Sequence, residues 1–227
     1  MLSKKPRVML LAAGRGERMR PLTDHTPKPL LGINDDTSLI ELHIKNLKLQ
    51  GFTNIIINVA WLGQKIIEQL GDGDNYGVDI QYSNEHDTPL ETAGGIIKAL
   101  PLLGSEPFIA INSDIYSDFD YKLLALNPNE LAQLILVPNP RFHPEGDFFM
   151  NSGKLDATIG EKYTFSGIAM YHPDFFKGLA IEVLALAPLL RKAILECKIS
   201  AQVYSGNWFD IGTPERLNEI KSFLFKN

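Results

Sequence analysis

The chain has 227 residues, 44% of them hydrophobic and 22% charged, with a formal net charge of −5 at pH 7. That length suits one large domain or two small ones with ample sequence for a core, and the mild acidity argues against a general nucleic-acid or membrane-surface binder. Cys197 is the only cysteine, which excludes an internal disulfide and a thiolate zinc cage. The opening MLSKKPRVMLLAAG is basic then apolar, as a signal peptide begins, but its apolar core is short and runs straight into arginines. No segment is apolar for long enough to span a bilayer, so the expected location is the cytoplasm.

Apolar runs and helical patterns then alternate along the chain. RVMLLAA reads as a strand buried on both faces. SLIE at Ser38–Glu41 is a capping box that opens a helix with Ile40, Ile44 and Leu47 as its apolar stripe and Gly51 as its stop. NIIINVA (Asn54–Ala60) is the next strand, a helix over Leu62–Leu70 stops at Gly71, and VDIQYS, a helix around Thr92–Leu100 and PFIAINSD (Pro107–Asp114) continue the series. Repeated β-α-β units with short connections imply a mostly parallel sheet covered by helices, an α/β Rossmann-like fold.

After Asp114 the pattern loosens. LAQLILVP and YTFSGIAMYH read as strands partly in antiparallel pairing, separated by a Gly- and Asn-rich turn region at Asn139–Gly160. A helix from about Ala187 to Cys197, the strand ISAQVYS, the stretch NWFDIGTPE, and a closing helix with Thr213 as N-cap and Pro214 at its first position complete the chain. The expectation is a single domain over 1–227, with a regular parallel half to about 115 and a looser half with the closing helix beyond it.

The most informative stretch is LLAAGRGERMRPLTDHTPKPLL at Leu10–Leu31, a loop at the carboxyl edge of the first strand, where open α/β sheets bind ligands. It lacks the Gly-Lys-Ser/Thr ending of a P-loop, and Met19 stands where a dinucleotide fingerprint needs a small residue. Gly14 and Gly16 allow close backbone approach to a ligand. Arg15, Arg18 and Arg20 offer bidentate forks for phosphate. Pro27 and Pro29 hold Lys28 on a stiff segment, which lowers the ordering cost of placing its ammonium. The loop fits a polyphosphate.

The same stretch resembles the signature of the sugar-1-phosphate nucleotidyltransferases, in which Leu-Ala-Ala-Gly leads to Gly-x-Gly-x-Arg and then Pro-Lys-Pro. PLETAGGI (Pro89–Ile96), NSD (Asn112–Asp114) and WFDIGTPER (Trp208–Arg216) extend the resemblance along nearly the whole chain. Within the family, AWLGQ, YSNE, KALPLLG, GDF, TFSGI and LAPLLR are most similar to the small N-acetylmuramate-1-phosphate uridylyltransferases of peptidoglycan recycling. The resemblance implies attack by a sugar-1-phosphate oxygen on the α-phosphorus of a nucleoside triphosphate, here UTP, with release of pyrophosphate. It also implies a nucleotide-binding half to about 115, a sugar-binding half with the closing helix beyond it, and Mg2+ as cofactor with Asp114 and Asp210 as its ligands.

The residues can be weighed against that chemistry. A phosphate monoester has a second pKa near ~6 and needs no histidine base; the obstacle is repulsion between anions, which fixed cations relieve. Arg18 and Lys28 are therefore the candidate catalytic residues, with Arg15 secondary. Taken singly, Asp114 and Asp210 read as turn residues as readily as metal ligands. The nucleotide is expected on Leu11, Ala12, Ala13, Gly14, Gly16 and Lys28, and on a second loop with Glu85, Thr92 and Gly94. Many family members have glycine where this chain has Glu91, whose carboxylate has two open roles, contact with base or ribose and capping of the next helix. Asn112, Asp147 and Trp208 are candidates for the sugar, with structural roles as the alternative. Lys162 is not given the sugar-phosphate role of the family's Glu-Lys-Pro lysine, because the proline is missing and the spacing differs. Arg141 is a candidate partner for the carboxylate of a muramate.

Rival readings are the same transfer with mannose 1-phosphate and GTP or glucose 1-phosphate and TTP, and a catalytically silent nucleotide-sugar-binding regulatory subunit. Partners of nucleic-acid or membrane type are not expected, and the oligomeric state is open.

Overall fold

The computed structural model describes residues 5–86 and 89–225; the first four residues of the signal-like opening lie outside them. The strands are β1 (Val8–Leu11), β2 (Asn54–Val59), β3 (Asp79–Asn84), β4 (Phe108–Asn112), β5 (Ile115–Ser117), β6 (Ala132–Val137), β7 (Phe148–Asn151), β8 (Lys154–Asp156), β9 (Glu161–Tyr171), β10 (Ile199–Val203) and β11 (Trp208–Asp210). The α-helices are α1 (Leu39–Leu49), α2 (Gly63–Leu70), α3 (Glu91–Leu103), α4 (Leu186–Leu195) and α5 (Pro214–Leu224).

The main sheet runs β10-β6-β9-β4-β1-β2-β3. β3, β2, β1 and β4 are parallel neighbours, β9 lies antiparallel between β4 and β6, and β6 pairs β10 in parallel. This is the mostly parallel α/β sheet with an antiparallel part that the alternating pattern implies. β1 is central because it is apolar on both sides: Val8 and Leu10 join the core under α1 and α2, and Met9 joins the core under α3 and α4. α1 opens as its spacing predicts, with Glu41 Oε2 accepting the Ser38 N–H at 2.7 Å.

The turn region predicted at Asn139–Gly160 contains a hairpin instead. Phe148 is buried and Met150 packs against the same core, an alternation short enough to be masked by the surrounding turn residues. Ser152 (φ 50°) and Gly153 (φ 79°) make the tight β7–β8 connection.

A third, smaller core does most to shape the functional end of the sheet. Met19, fully buried, packs with Leu31, Ile33, Leu39, Ile211, Leu217 and Ile220. It pins the loop after β1 onto the β11–α5 corner, and burying such a side chain contributes about 1.5–3 kcal/mol. This explains why a large apolar residue stands where a dinucleotide loop would need a small one. Among the described residues, no helix is long and apolar enough to cross a membrane.

Candidate active site

The carboxyl ends of β1 and β4 open onto a cavity of about 370 Å³. Leu11, Ala12, Ala13, Gly14 and Gly16 form one wall, and Arg18, Lys28 and Asp114 line its phosphate-sized end. Glu85, Glu91, Thr92 and Asn112 face them. Gly16 adopts φ +68°, and a Cβ there would stand 3.0 Å from Lys28 Cβ, so no other residue both turns the loop and lets the lysine pass. Lys28 is 7% exposed, and its Nζ donates to Asp114 Oδ2 at 2.6 Å.

Asp114 and Asp210 are brought together by a two-stranded ribbon. β5 pairs antiparallel with β11, placing Asp210 opposite Ile115, and the Ile211 N–H donates to the Asp114 carbonyl at 2.8 Å. Asp210 sits behind Gly212, which itself lines the cavity; a Cβ on Gly212 would meet Asp210 Oδ1 at 2.7 Å and an Arg18 terminal nitrogen at 3.0 Å. Arg216 NH1 lies 3.1 Å from Asp210 Oδ1, and its guanidinium stacks on Phe142 at 4.0 Å. Sequence reasoning did not assign Arg216 a role, although it ends a quoted motif.

The two carboxylates fit a hard divalent cation shared with a phosphate chain. Asp210 Oδ1 is buried and faces Arg216 NH1 at 3.1 Å, but the two do not align as a hydrogen bond, so its oxygen is left without one among the described residues. Among the described residues no three candidate metal-ligating side chains cluster, so the two carboxylates by themselves do not make a cage. One or two carboxylates plus substrate oxygens is how magnesium is usually held.

Several candidates occupy other roles than expected. Gly94 does not line the cavity: its Cα faces the Glu182 carbonyl, and the Ala93 and Gly94 N–H groups both donate to the Leu184 carbonyl. Its neighbour Gly95 is the one packed against the Glu85–Asn58 pair, since a Cβ there would stand 2.5 Å from Glu85 Oε1 and 2.9 Å from Asn58 Nδ2. Glu85 is buried, accepting from Asn58 Nδ2 at 2.6 Å and from the Leu90 N–H at 2.8 Å, while Asn58 Oδ1 accepts the Ala12 N–H at 2.8 Å. This chain of bonds fixes the two loops relative to each other. Asn58, unassigned from the sequence, is its centre, placed there by the β1–β2 register opposite Leu11.

Arg15 does not line the cavity either; it stacks on the Trp61 ring at 3.9 Å. Trp208 is turned into the protein, with Nε1 donating to the Ser166 carbonyl at 2.9 Å, and lines neither cavity. Lys162 lies over the Phe149 ring at 4.9 Å. His43 is buried, and that burial pushes its pKa down to about 4, so the ring is neutral at pH 7.

A second cavity, of about 330 Å³, adjoins the first and shares Glu91, Thr92 and Asn112 with it. Asp147 lines it, held by the Phe165 N–H at 2.8 Å and by His143 Nε2 at 3.0 Å. Arg141 lines neither cavity.

Glu91 begins α3 at φ +56°, a left-handed conformation that costs a non-glycine residue on the order of 1–2 kcal/mol. The usual helix ranking should therefore invert here. Glu91→Gly is expected to unfold about 1 kcal/mol later than Glu91→Ala in urea titrations, whereas glycine normally trails alanine by a similar amount. Alanine proving the more stable variant would show that the strain is negligible.

Comparison with known proteins agrees with this geometry. A nucleotidyl transferase family model matches residues 7–146. The N-acetylmuramate alpha-1-phosphate uridylyltransferase of Neisseria meningitidis is 47% identical over 225 residues, covering 95% of this chain and 97% of that one. A D-glycero-alpha-D-manno-heptose 1-phosphate guanylyltransferase of Campylobacter jejuni is 28% identical, covering 96% and 99%. The crystal structure of HddC from Yersinia pseudotuberculosis complexed with GMP-PN has the same fold, with a TM-score of 0.77 at 21% identity over 97% of this chain and 100% of that one. With a family model covering more than half its length and so close a relative over nearly all of it, the chain belongs to the nucleotidyl transferase family, among the sugar-1-phosphate nucleotidyltransferases.

Proposed function

We propose that the protein transfers a uridylyl group from UTP to N-acetylmuramate 1-phosphate, releasing pyrophosphate and forming UDP-N-acetylmuramate for peptidoglycan recycling in the cytoplasm. The observation that supports this best is the pair of adjoining cavities meeting at Glu91, Thr92 and Asn112, one edged by Arg18, Lys28 and Asp114 and the other sized for a sugar. The substrate pair follows from the 47% identity to the Neisseria enzyme, which carries that activity in its name.

In this reading the base lies along the Ala13–Gly14 backbone, since the Ala12 N–H is already engaged by Asn58. Arg18 holds the β/γ side of the triphosphate and the charge that builds on the leaving pyrophosphate, its planar fork spanning two oxygens. Lys28, held against Asp114, meets the α-phosphate or the incoming sugar phosphate and lowers the repulsion between the two anions. Asp114 and Asp210 would hold magnesium, which when bound supplies further charge neutralisation at the phosphates. Asn112 and Asp147 orient the sugar, and its phosphate oxygen, already dianionic near neutral pH, attacks without a protein base.

The test is pyrophosphate release with N-acetylmuramate, N-acetylglucosamine, mannose and glucose 1-phosphates against UTP, GTP, TTP and CTP. The highest kcat/KM is expected for the muramate with UTP. A preference for mannose 1-phosphate with GTP would replace the substrate pair and leave nucleotidyl transfer standing; no release with any pair would favour a regulatory binding subunit.

A further inference from the structure

We propose that Arg191, on α4, selects an acidic sugar by receiving the carboxylate of the muramate lactyl ether, an assignment that rests on the substrate reading above. Of the charged side chains lining the second cavity, Glu91 and Asp147 are acidic and Arg191 is the one cation among the described residues. Both Asp147 oxygens are engaged by Phe165 and His143. Arg191 forms no ion pair among the described residues. An exposed cation that lines the same cavity as two carboxylates and pairs with neither is available to an anionic ligand.

Position within the site separates this role from phosphate binding. Arg18, Lys28 and Asp114 line the first cavity only, and Arg191 lines the second only, beyond the shared residues Glu91, Thr92 and Asn112. A sugar 1-phosphate with its phosphorus-bound oxygen at Lys28 therefore points its far side toward α4. There the lining is mixed in the way a lactyl ether requires. Phe148, Phe165, Leu186 and Leu190 supply an apolar wall for the methyl group, and Arg191 supplies a fork for the carboxylate. α4 places it so because Leu186, Leu190, Ala193 and Ile194 form the buried stripe. Arg191 stands one residue round from Leu190 and one turn beyond Ala187, which lines the same cavity. Arg141, the loop arginine that the sequence suggested, does not reach this wall.

The experiment compares kcat/KM for N-acetylmuramate 1-phosphate and N-acetylglucosamine 1-phosphate, each with UTP, in the parent, Arg191→Ala, Arg191→Lys and Arg141→Ala, with a melting curve for each. The second sugar keeps the phosphate and acetamide and lacks the lactyl group. The muramate-to-glucosamine ratio should fall roughly 30- to 100-fold in Arg191→Ala, the scale expected when a charge-assisted contact is lost. Arg191→Lys should recover part of it, because the charge returns without the fork, and Arg141→Ala should keep the parent ratio. An equal fall for both sugars would assign Arg191 to the phosphate and overturn the proposal, as would a ratio unchanged from the parent. A parent that does not turn over the muramate would instead overturn the substrate reading, and this assignment with it.

Discussion

Asp114→Asn and Asp210→Asn are each expected to lower kcat by about 10²–10³-fold, equivalent to roughly 3–4 kcal/mol of transition-state stabilisation. Both substitutions keep the shape of the side chain and remove its charge. The β5–β11 ribbon that carries them is held by backbone pairing, so the fold should persist. The two variants should nevertheless differ in detail. Asp114→Asn leaves the Lys28 ammonium, 7% exposed, without its counter-charge, and should lower the melting temperature as well. Asp210→Asn frees Arg216, which faces Asp210 at 3.1 Å, and so adds positive charge beside the site. Magnesium titrations of initial rate separate the causes. A metal ligand shifts the half-saturating magnesium concentration upward, and a purely structural carboxylate does not. Near-parent rates for both variants across the titration would eliminate the metal assignment.

Lys28→Met is expected to reduce kcat/KM on the order of 10³-fold, because it removes the cation nearest the reacting phosphates and leaves an apolar side chain of similar length. Lys28→Arg should rescue little of this. Arginine exchanges a compact, buried ammonium held 2.6 Å from Asp114 Oδ2 for a broader planar fork, which cannot take the same place without displacing its neighbours. Because Lys28 and Asp114 touch at 2.6 Å, the double variant Lys28→Met/Asp114→Asn should lose much less than the product of the two single losses. Additive losses would mean that the two residues act independently, and a Lys28→Met enzyme retaining a tenth of parental kcat/KM would remove the lysine from the chemistry.

What the sequence alone determined about this protein is whatever depends on neighbours along the chain. The parallel half of the sheet was legible because β1, β2 and β4 are short apolar runs bounded by turn residues, and the capping box at Ser38–Glu41 and the Thr213–Pro214 start carry their own local hydrogen bonds. The loop after β1 was legible for the same reason: glycines, forks and prolines state their chemistry within a few residues. The β7–β8 hairpin was missed because its alternation is only four and three residues long.

The tertiary structure alone decided which of those chemical groups meet. Asp114 and Asp210 share a site through the register of β5 on β11, and Asn58 ties Glu85 to Ala12 through the register of β2 on β1. Gly94 and Gly95 are neighbours in sequence, yet the helix turns one toward the Glu182 carbonyl and the other toward Glu85. Arg15 and Arg18 look alike in the loop, but Trp61 takes the first and the buried Met19 anchors the second beside Gly212. Arg191 reads as one more helix cation until α4 is packed against the sheet, where it stays exposed but edges the second cavity. Side-chain type is fixed by the chain, but the direction in which a side chain points is set by strand pairing and helix packing between segments far apart in sequence.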